Sequence, residues 1–382
     1  MVPGPPLEFS EPSFAVEYHL SGTEAEARAK AEALRLDQTV ELPDALIPPG
    51  PIRTHVLGKV EAFRELSKGR YETIVSFPSE LLGKEFTQLL NLAFGIASLK
   101  PGIRVVRLHL PSHVVQKWPG PRLGRTGLRD RIGVERRPLI CGVLKPVGLS
   151  PEALADLAYQ FARGGLDLIK DDQGLVDQDF CPFDERIARC AEAVAKANRE
   201  TGRNCLYFPH VTGSGNAILK KSLVAQEAGA GGVLICPGLT GYDCLPALAA
   251  DHHFHLPVMS HPALLGSFIV HADSGIAPWV LFGQLPRLAG ADISIYPTYG
   301  GNFPLTEDDC RHIAWETARP WDYLKPIFPT AAGRIELDRL PALCEVYQGE
   351  MVIVAGSALL EPGKNVVGTC SRLVEEVKRY FS

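Results

Sequence analysis

The sequence predicts an α/β protein in which a ferredoxin-like α+β N-terminal domain precedes a C-terminal (β/α)8 TIM barrel. Three observations carry that expectation. From Pro138 onward, strand-length apolar runs alternate with helix-length segments eight times in about 240 residues, the arithmetic of a closed barrel. Before them the order is strand, helix, two strands, helix, strand, as in a compact α+β unit. No GxGxxG follows the first of the eight strands, which weighs against a doubly wound dinucleotide fold. The expected division is 1–111 for the N-terminal domain, 112–137 for a connector and 138–382 for the barrel.

Residues 13–22 (SFAVEYHLSG) read as a strand. Thr23 to Gln38 reads as an Ala/Glu/Leu helix with a Thr/Glu start. Strands are expected over Ile52–Phe63 and Arg70–Ser76, a helix over Leu82–Ser98 and a strand over Ile103–Leu110. Residues 112–137 are rich in Gly, Pro and Arg and read as the connector. Their basic run, Arg122, Arg125, Arg129, Arg131, Arg136 and Arg137 beside Asp130 and Glu135, reads as a solvated linker. Barrel strands are expected at Leu139–Lys145, Leu166–Asp171, Cys205–His210, Gly232–Cys236, Pro257–His261, Asp292–Tyr296, Lys325–Pro329 and Met351–Ala355. The helices that follow are expected over Pro151–Arg163, Pro182–Glu200, Ala217–Glu227, Tyr242–Ala250, Ile276–Leu288, Glu307–Ala318, Glu336–Val346 and Val366–Tyr380.

Composition narrows the function classes. A hydrophobic content of 46%, a charged content of 22% and a net charge of -5 fit a globular protein and argue against a general nucleic-acid binder. The nine cysteines are an odd number with no CxxC pair, so they read as reduced, buried thiols of a cytoplasmic protein. Met1 to Pro6 shows no basic stretch followed by an apolar core, so no secretory signal is expected. No apolar run approaches the ~20 residues needed to span a bilayer, so no membrane partner is expected either.

In such barrels the active site lies at the C-terminal ends of the strands. The residues there are Lys145, then Lys170, Asp172 and Gln173, then His210, His261, the Thr298-Tyr299-Gly300-Gly301-Asn302 loop, and Gly356-Ser357. In the run GGLDLIKDDQ, alternation of side chains sends Lys170 and Asp172 to one face and Asp171 to the other. A lysine facing a dry interior must be paired, deprotonated or converted. Conversion by carbon dioxide gives a carbamate, which together with Asp172 and Gln173 supplies hard oxygens suited to Mg2+. The alternative is an ordinary Lys170–Asp172 ion pair at a strand end. Magnesium beside a ketone and its neighbouring hydroxyl would stabilise a developing enediolate, with Lys145 moving the proton. Gly300, Gly301, Gly356 and Ser357 lie in short loops whose N–H groups approach a phosphate, or else they are ordinary turns.

The motifs Gly142-Val143-Leu144-Lys145-Pro146, Gly164 to Asp172, Ser260-His261-Pro262-Ala263, Tyr296 to Gly301 and Ala355-Gly356-Ser357 together cover the expected barrel. They resemble the RuBisCO large-subunit superfamily, and more closely its RuBisCO-like proteins (form IV). The resemblance implies that Lys170 is the carbamylated lysine, Asp172 a magnesium ligand, and Lys145 and His261 catalytic. It implies His210, Gly300, Gly301, Asn302, Gly333, Gly356 and Ser357 as phosphate- or substrate-side positions. It also implies a homodimer or higher homo-oligomer, in which Asn91 is a candidate to reach a second copy's barrel. The departures are chemical. Gln173 stands where a glutamate ligand is usual, Val147 where a second lysine is expected, Pro262 in place of an arginine and Ile295 near the place of a histidine. Asn302 stands where carboxylases carry the lysine that polarises carbon dioxide, and Ala332-Gly333-Arg334 replaces a Ser-Gly-Gly turn. These departures imply a monophosphorylated ketose or keto acid as substrate, enolised and then isomerised or decarboxylated, without carboxylation. The alternatives are a methionine-salvage enolase-type activity and a non-catalytic binding or regulatory protein.

Overall fold

Alternating burial along SFAVEYHLS makes β1 (Ser13–Ser21), with Phe14, Val16, Tyr18 and Leu20 buried on one face. The computed structural model describes residues 12–333, 337–360, 363 and 365–381. Thr23 and Glu26 close a capping box on the helix Glu24–Asp37 that follows. With β2 (Lys59–Ser67), β3 (Arg70–Pro78), the helix Phe86–Phe94 and β4 (Ile103–His109), this makes an antiparallel sheet of order β4-β1-β3-β2. A two-residue strand, Gly275–Ile276, runs parallel to β4 at its edge. Among the described residues the first compact unit comprises 12–118 plus Leu265–Leu281; Pro119–Leu264 and the described residues from Phe282 onward form the second.

Two expected elements of this unit, and one expected barrel helix that begins in it, are corrected. Ile52–Phe63 is not one strand: Gly50, at φ +110°, turns the chain into a helical turn, Pro51–His55, that opens on Pro51, and β2 starts only at Lys59. The helix expected over Leu82–Ser98 is confined to Phe86–Phe94, between 3-10 turns at Ser79–Leu82 and Ile96–Leu99. The helix expected over Ile276–Leu288 is instead the edge strand, then a π-helical turn at Val280–Gln284 and a short helix Leu285–Ala289.

In the second unit, β5 (Leu139–Leu144), β6 (Leu168–Asp171), β7 (Leu206–Phe208), β8 (Val233–Ile235), β9 (Val258–Ser260), β10 (Ile293–Ser294), β11 (Phe328–Ala331) and β12 (Val352–Ala355) are all parallel. Val211 N–H to Leu234 O (3.0 Å) and Leu234 N–H to Pro209 O (2.8 Å) join β7 to β8 and close the barrel. Strand β11 begins three residues later than expected, because Arg287 binds the carbonyls of Leu324 and Lys325 outside the barrel. The helices Pro151–Arg163, Phe183–Thr201, Ala217–Glu227, Glu307–Ala318 and Val366–Phe381 lie where expected. The helix expected from Tyr242 runs over Cys244–Ala250. That expected from Glu336 is Leu340–Tyr347, and Glu336 itself lies outside the described residues.

The basic stretch is not a solvated linker. Residues Gly124–Ile132 form a helix whose Leu128 and Ile132 pack on Leu139, Cys141, Phe328 and Val352, plugging the end of the barrel at which the strands begin. Arg122 donates to the carbonyls of Ala249 and Asp251, Arg125 to that of Ile327, and Arg129 to those of Val134 and Arg137. Arg137 grips Asp167 with two hydrogen bonds of 2.6 and 2.7 Å. Buried Asp292 accepts from the N–H groups of Leu123 and Gly124, both at 2.7 Å, which fixes the start of the plug. Arg131 and Arg136 alone of the run stay exposed.

Candidate functional site

Strand β6 divides its two charged residues between two environments. Asp171 points away from the barrel interior and is fully buried; its carboxylate accepts from Arg186 Nε (3.1 Å), Tyr207 OH (2.8 Å) and His210 N–H (3.0 Å). Every strong donor near it is used, so it acts as an anchor. Lys170 is only 3% exposed, and its Nζ donates to the carbonyl of Asp171 at 2.8 Å. Burial pushes its pKa below that of an ordinary lysine; Cys141, Asp172 and Asp171 oppose that shift and Lys145 adds to it. Asp172 does not pair with Lys170. Its Oδ2 lies 3.5 Å from Lys145 Nζ and its Oδ1 accepts from Gly174 N–H at 3.0 Å.

His210 follows β7 and is buried. Because a carbonyl only accepts, the 2.9 Å contact between Nδ1 and Leu175 O places the proton on Nδ1 and leaves the Nε2 lone pair facing Cys236 Sγ at 3.4 Å. Thr212 Oγ accepts from Cys236 N–H at 2.9 Å. Cys236 and Thr212 were not singled out from the sequence; the signal available was that Cys236 closes a strand-like run. Burial lowers the His210 pKa, and the charge of Lys170 adds to the shift. His261 continues the ladder of β9 through its N–H to Ile235 O, and its Nδ1 accepts from Ala263 N–H. Burial first, then the charges of Lys170 and His210, push its pKa down to about 2. Both imidazoles are therefore neutral at physiological pH. Lys145, Lys170, Asp172, His210, Cys236 and His261 form one electrostatic group.

The glycine loops divide. A side chain on Gly356 would begin 3.6 Å from Lys145 Nζ, so this loop lies against the lysine; Ser357 is exposed. Gly300, at φ +71°, leaves room for Arg339, which donates to Tyr299 O at 2.6 Å and lies over the Tyr299 ring. Arg339 carries no motif and was also missed. Gly333 lies beside the Phe303 ring, one residue beyond exposed Asn302. Gln173 is exposed and has no hydrogen-bond partner among the described residues. Arg334 lies outside them.

The donor chemistry tests whether magnesium suits the site. Among the described residues the one group of three clustered His, Cys, Asp or Glu ligands is Glu17, His19 and Glu72, in the first unit. Near Lys170 the carboxylate not saturated by buried donors is that of Asp172, whose Oδ2 has, among the described residues, only the 3.5 Å contact to Lys145. A hard divalent ion fits there when Lys170 supplies a second anionic oxygen, and a buried amine held toward its neutral form is the chemical precondition for a carbamate.

Residues 125–368 match the family model described as ribulose bisphosphate carboxylase large chain, catalytic domain. The chain belongs to the RuBisCO large-chain superfamily, among its RuBisCO-like proteins. It is 38% identical over 362 residues to ribulose bisphosphate carboxylase-like protein 1 of Rhodopseudomonas palustris, covering 95% of this chain and 96% of that one. It is 34% identical over 345 residues to a protein of Rhodospirillum rubrum named 5-methylthioribulose-1-phosphate isomerase, covering 90% of each. The crystal structure of a Rubisco-like protein from Rhodopseudomonas palustris superposes with a TM-score of 0.88 at 35% identity, over 98% of this chain and 99% of that one.

Proposed function

We propose that this RuBisCO-like chain is an enzyme that enolises a monophosphorylated ketose and returns the proton to the neighbouring carbon, as an isomerase. The observation that carries the reading is the buried, charge-disfavoured Lys170 beside the Lys145–Asp172 pair at the C-terminal ends of β5 and β6. The 34% identical relative named as an isomerase of a methylthio-sugar phosphate favours isomerisation over decarboxylation.

In this reading Lys145 moves the proton. It is the more exposed member of its pair, at 36% against 15% for Asp172, and so is able to meet a substrate carbon while the carboxylate holds the amine in place. Neutral His261, whose Nδ1 accepts from Ala263 and whose proton is therefore on Nε2, serves as a donor to a substrate oxygen and not as a cation, whereas His210, its Nδ1 proton donated to Leu175 O, holds Cys236 and the β7 end in place. Gly300 and Gly301, with Arg339 behind them, hold the phosphate through backbone N–H groups; Asn302 belongs to the same loop, Gly333 lies beside Phe303, and Gly356 and Ser357 form a separate loop against Lys145. Magnesium, held by carbamylated Lys170, Asp172 and Gln173, would supply fixed positive charge beside the oxygens of the reacting carbons. The active species is at least a homodimer, with exposed Asn91 offered to a second copy.

Proton–deuterium exchange in D2O, followed by NMR on a panel of monophosphorylated ketoses and keto acids with magnesium and bicarbonate, tests the reading. Exchange that Lys170→Ala abolishes is expected, with an isomeric product. Absence of exchange over the panel, together with absence of bicarbonate-dependent magnesium binding, would leave a binding protein.

A further inference from the structure

A cleft of about 600 Å3 in the barrel unit is not at the proposed active site. It opens at the opposite end, where the chain enters β5, β6 and β7 beside the C-terminal helix Val366–Phe381. Its volume falls in the range of small-molecule sites. In barrels of this class that end ordinarily serves stability, so its charge balance is informative.

Arg137 and Asp167 also border the cleft, but they neutralise each other, and Asp167 further accepts from Ile140 N–H at 2.8 Å. That leaves Arg136, Arg203 and Lys378 as cations on the walls, against the single carboxylate of Glu135. Among the described residues neither Arg136 nor Arg203 has an ion-pair partner, and Lys378 makes only an exposed contact to Glu375 on its own helix. Arg136 is thus the member of the basic run that borders this cleft and that the plug does not consume. Arg203 is seated, not dangling: its guanidinium lies against Gly165, where a side chain would begin 2.1 Å from Nη1. The lining also includes the apolar side chains of Ile132 and Val374 and the ring of Phe381.

We propose that this cleft is a binding site for a nucleoside diphosphate. The guanidinium groups of Arg136 and Arg203 and the amine of Lys378 take the diphosphate, and the base lies on Phe381 and its aliphatic neighbours. Guanidinium groups pair with phosphate oxygens through two parallel N–H bonds, which is the chemistry left unused on these walls. A ring beside aliphatic side chains accepts a flat base. The site does not depend on the proposed isomerase activity, since no residue is shared between the two.

Calorimetric titration of the full chain tests this, with ADP and inorganic pyrophosphate as probes and no magnesium. ADP is expected to bind once per chain, more tightly than pyrophosphate and more weakly as salt rises. Arg203→Ser and Lys378→Ser each weaken it by at least about tenfold, as loss of one charge-assisted phosphate contact should. Lys145→Ala, at the other end of the barrel, leaves it unchanged. No saturable ADP binding, binding that survives both substitutions, or binding lost in Lys145→Ala would overturn the proposal. Pyrophosphate binding as tightly as ADP would remove the base from it.

Discussion

Lys170 and Asp171 are neighbours in sequence with opposite energetics. The carboxylate of Asp171 is buried but saturated, and Arg186 beside it is buried as well, its pKa raised by the Asp171 charge against the cost of burial. Replacing Asp171 with Ala leaves that guanidinium uncompensated, a mechanism worth about 3–5 kcal/mol. Urea unfolding should show the loss, and a shift within 1 kcal/mol would contradict the assigned role. Lys170 is the reverse case: its amine satisfies one carbonyl and is otherwise a liability to folding. Lys170→Met keeps the shape and removes the buried amine, so the variant is expected to equal or exceed the wild type in Tm while losing enolisation. A variant that melts well below the wild type would mean that Lys170 holds the barrel together.

The plug helix Gly124–Ile132 shows what secondary elements conceal from a sequence. Leu128 is fully buried in the core cluster with Phe328 and Val352, so Leu128→Ala should cost about 2–5 kcal/mol, read from the denaturant midpoint. An exposed neighbour, Arg131, should tolerate Ala within about 0.5 kcal/mol. The run reads as solvated because six arginines in a Gly/Pro-rich stretch normally are. Here four of them satisfy carbonyls or a carboxylate, and those of Arg122, Arg125 and Arg137 lie 30 or more residues away in sequence, where no local pattern announces them. The barrel strands and the Thr23 cap were legible because short continuous apolar runs, buried on both faces, and capping residues are local signals. The Gly275–Ile276 strand was not, since two residues carry no periodicity and their pairing with β4 is long-range. The same division holds at the candidate site: lysines, carboxylates and histidines at strand ends stand out, whereas Cys236 reads as core and Arg339 as surface until folding brings each to its neighbours.

At the scale of the whole molecule, buried ionisable groups should set a narrow pH optimum of stability. His261, held down to about 2, binds no proton in the folded chain where the unfolded chain takes one below about pH 6.5, and His210, also lowered, binds its proton less readily folded than unfolded. The unfolded state then holds more protons, so stability falls as pH drops from 6.5, by up to about 1.4 kcal/mol per pH unit for each wholly neutral histidine. On the alkaline side the buried thiols of Cys141 and Cys370, pushed up to about 12, stay protonated while unfolded cysteines ionise near pH 8.5. There too the sign is fixed: the unfolded state now holds fewer protons, and stability falls as pH rises. Lys170, with its lowered pKa, opposes this alkaline loss up to about pH 10.4, but it is one group against several thiols. Urea midpoints should therefore peak between about pH 7 and 8.5. The double variant His210→Gln, His261→Gln should flatten the limb between pH 6.5 and 5, above the range in which carboxylates titrate, and leave the alkaline limb unchanged. An acid limb equally steep in that variant would place its cause elsewhere, in groups such as His19, whose pKa is lowered by burial in the first unit.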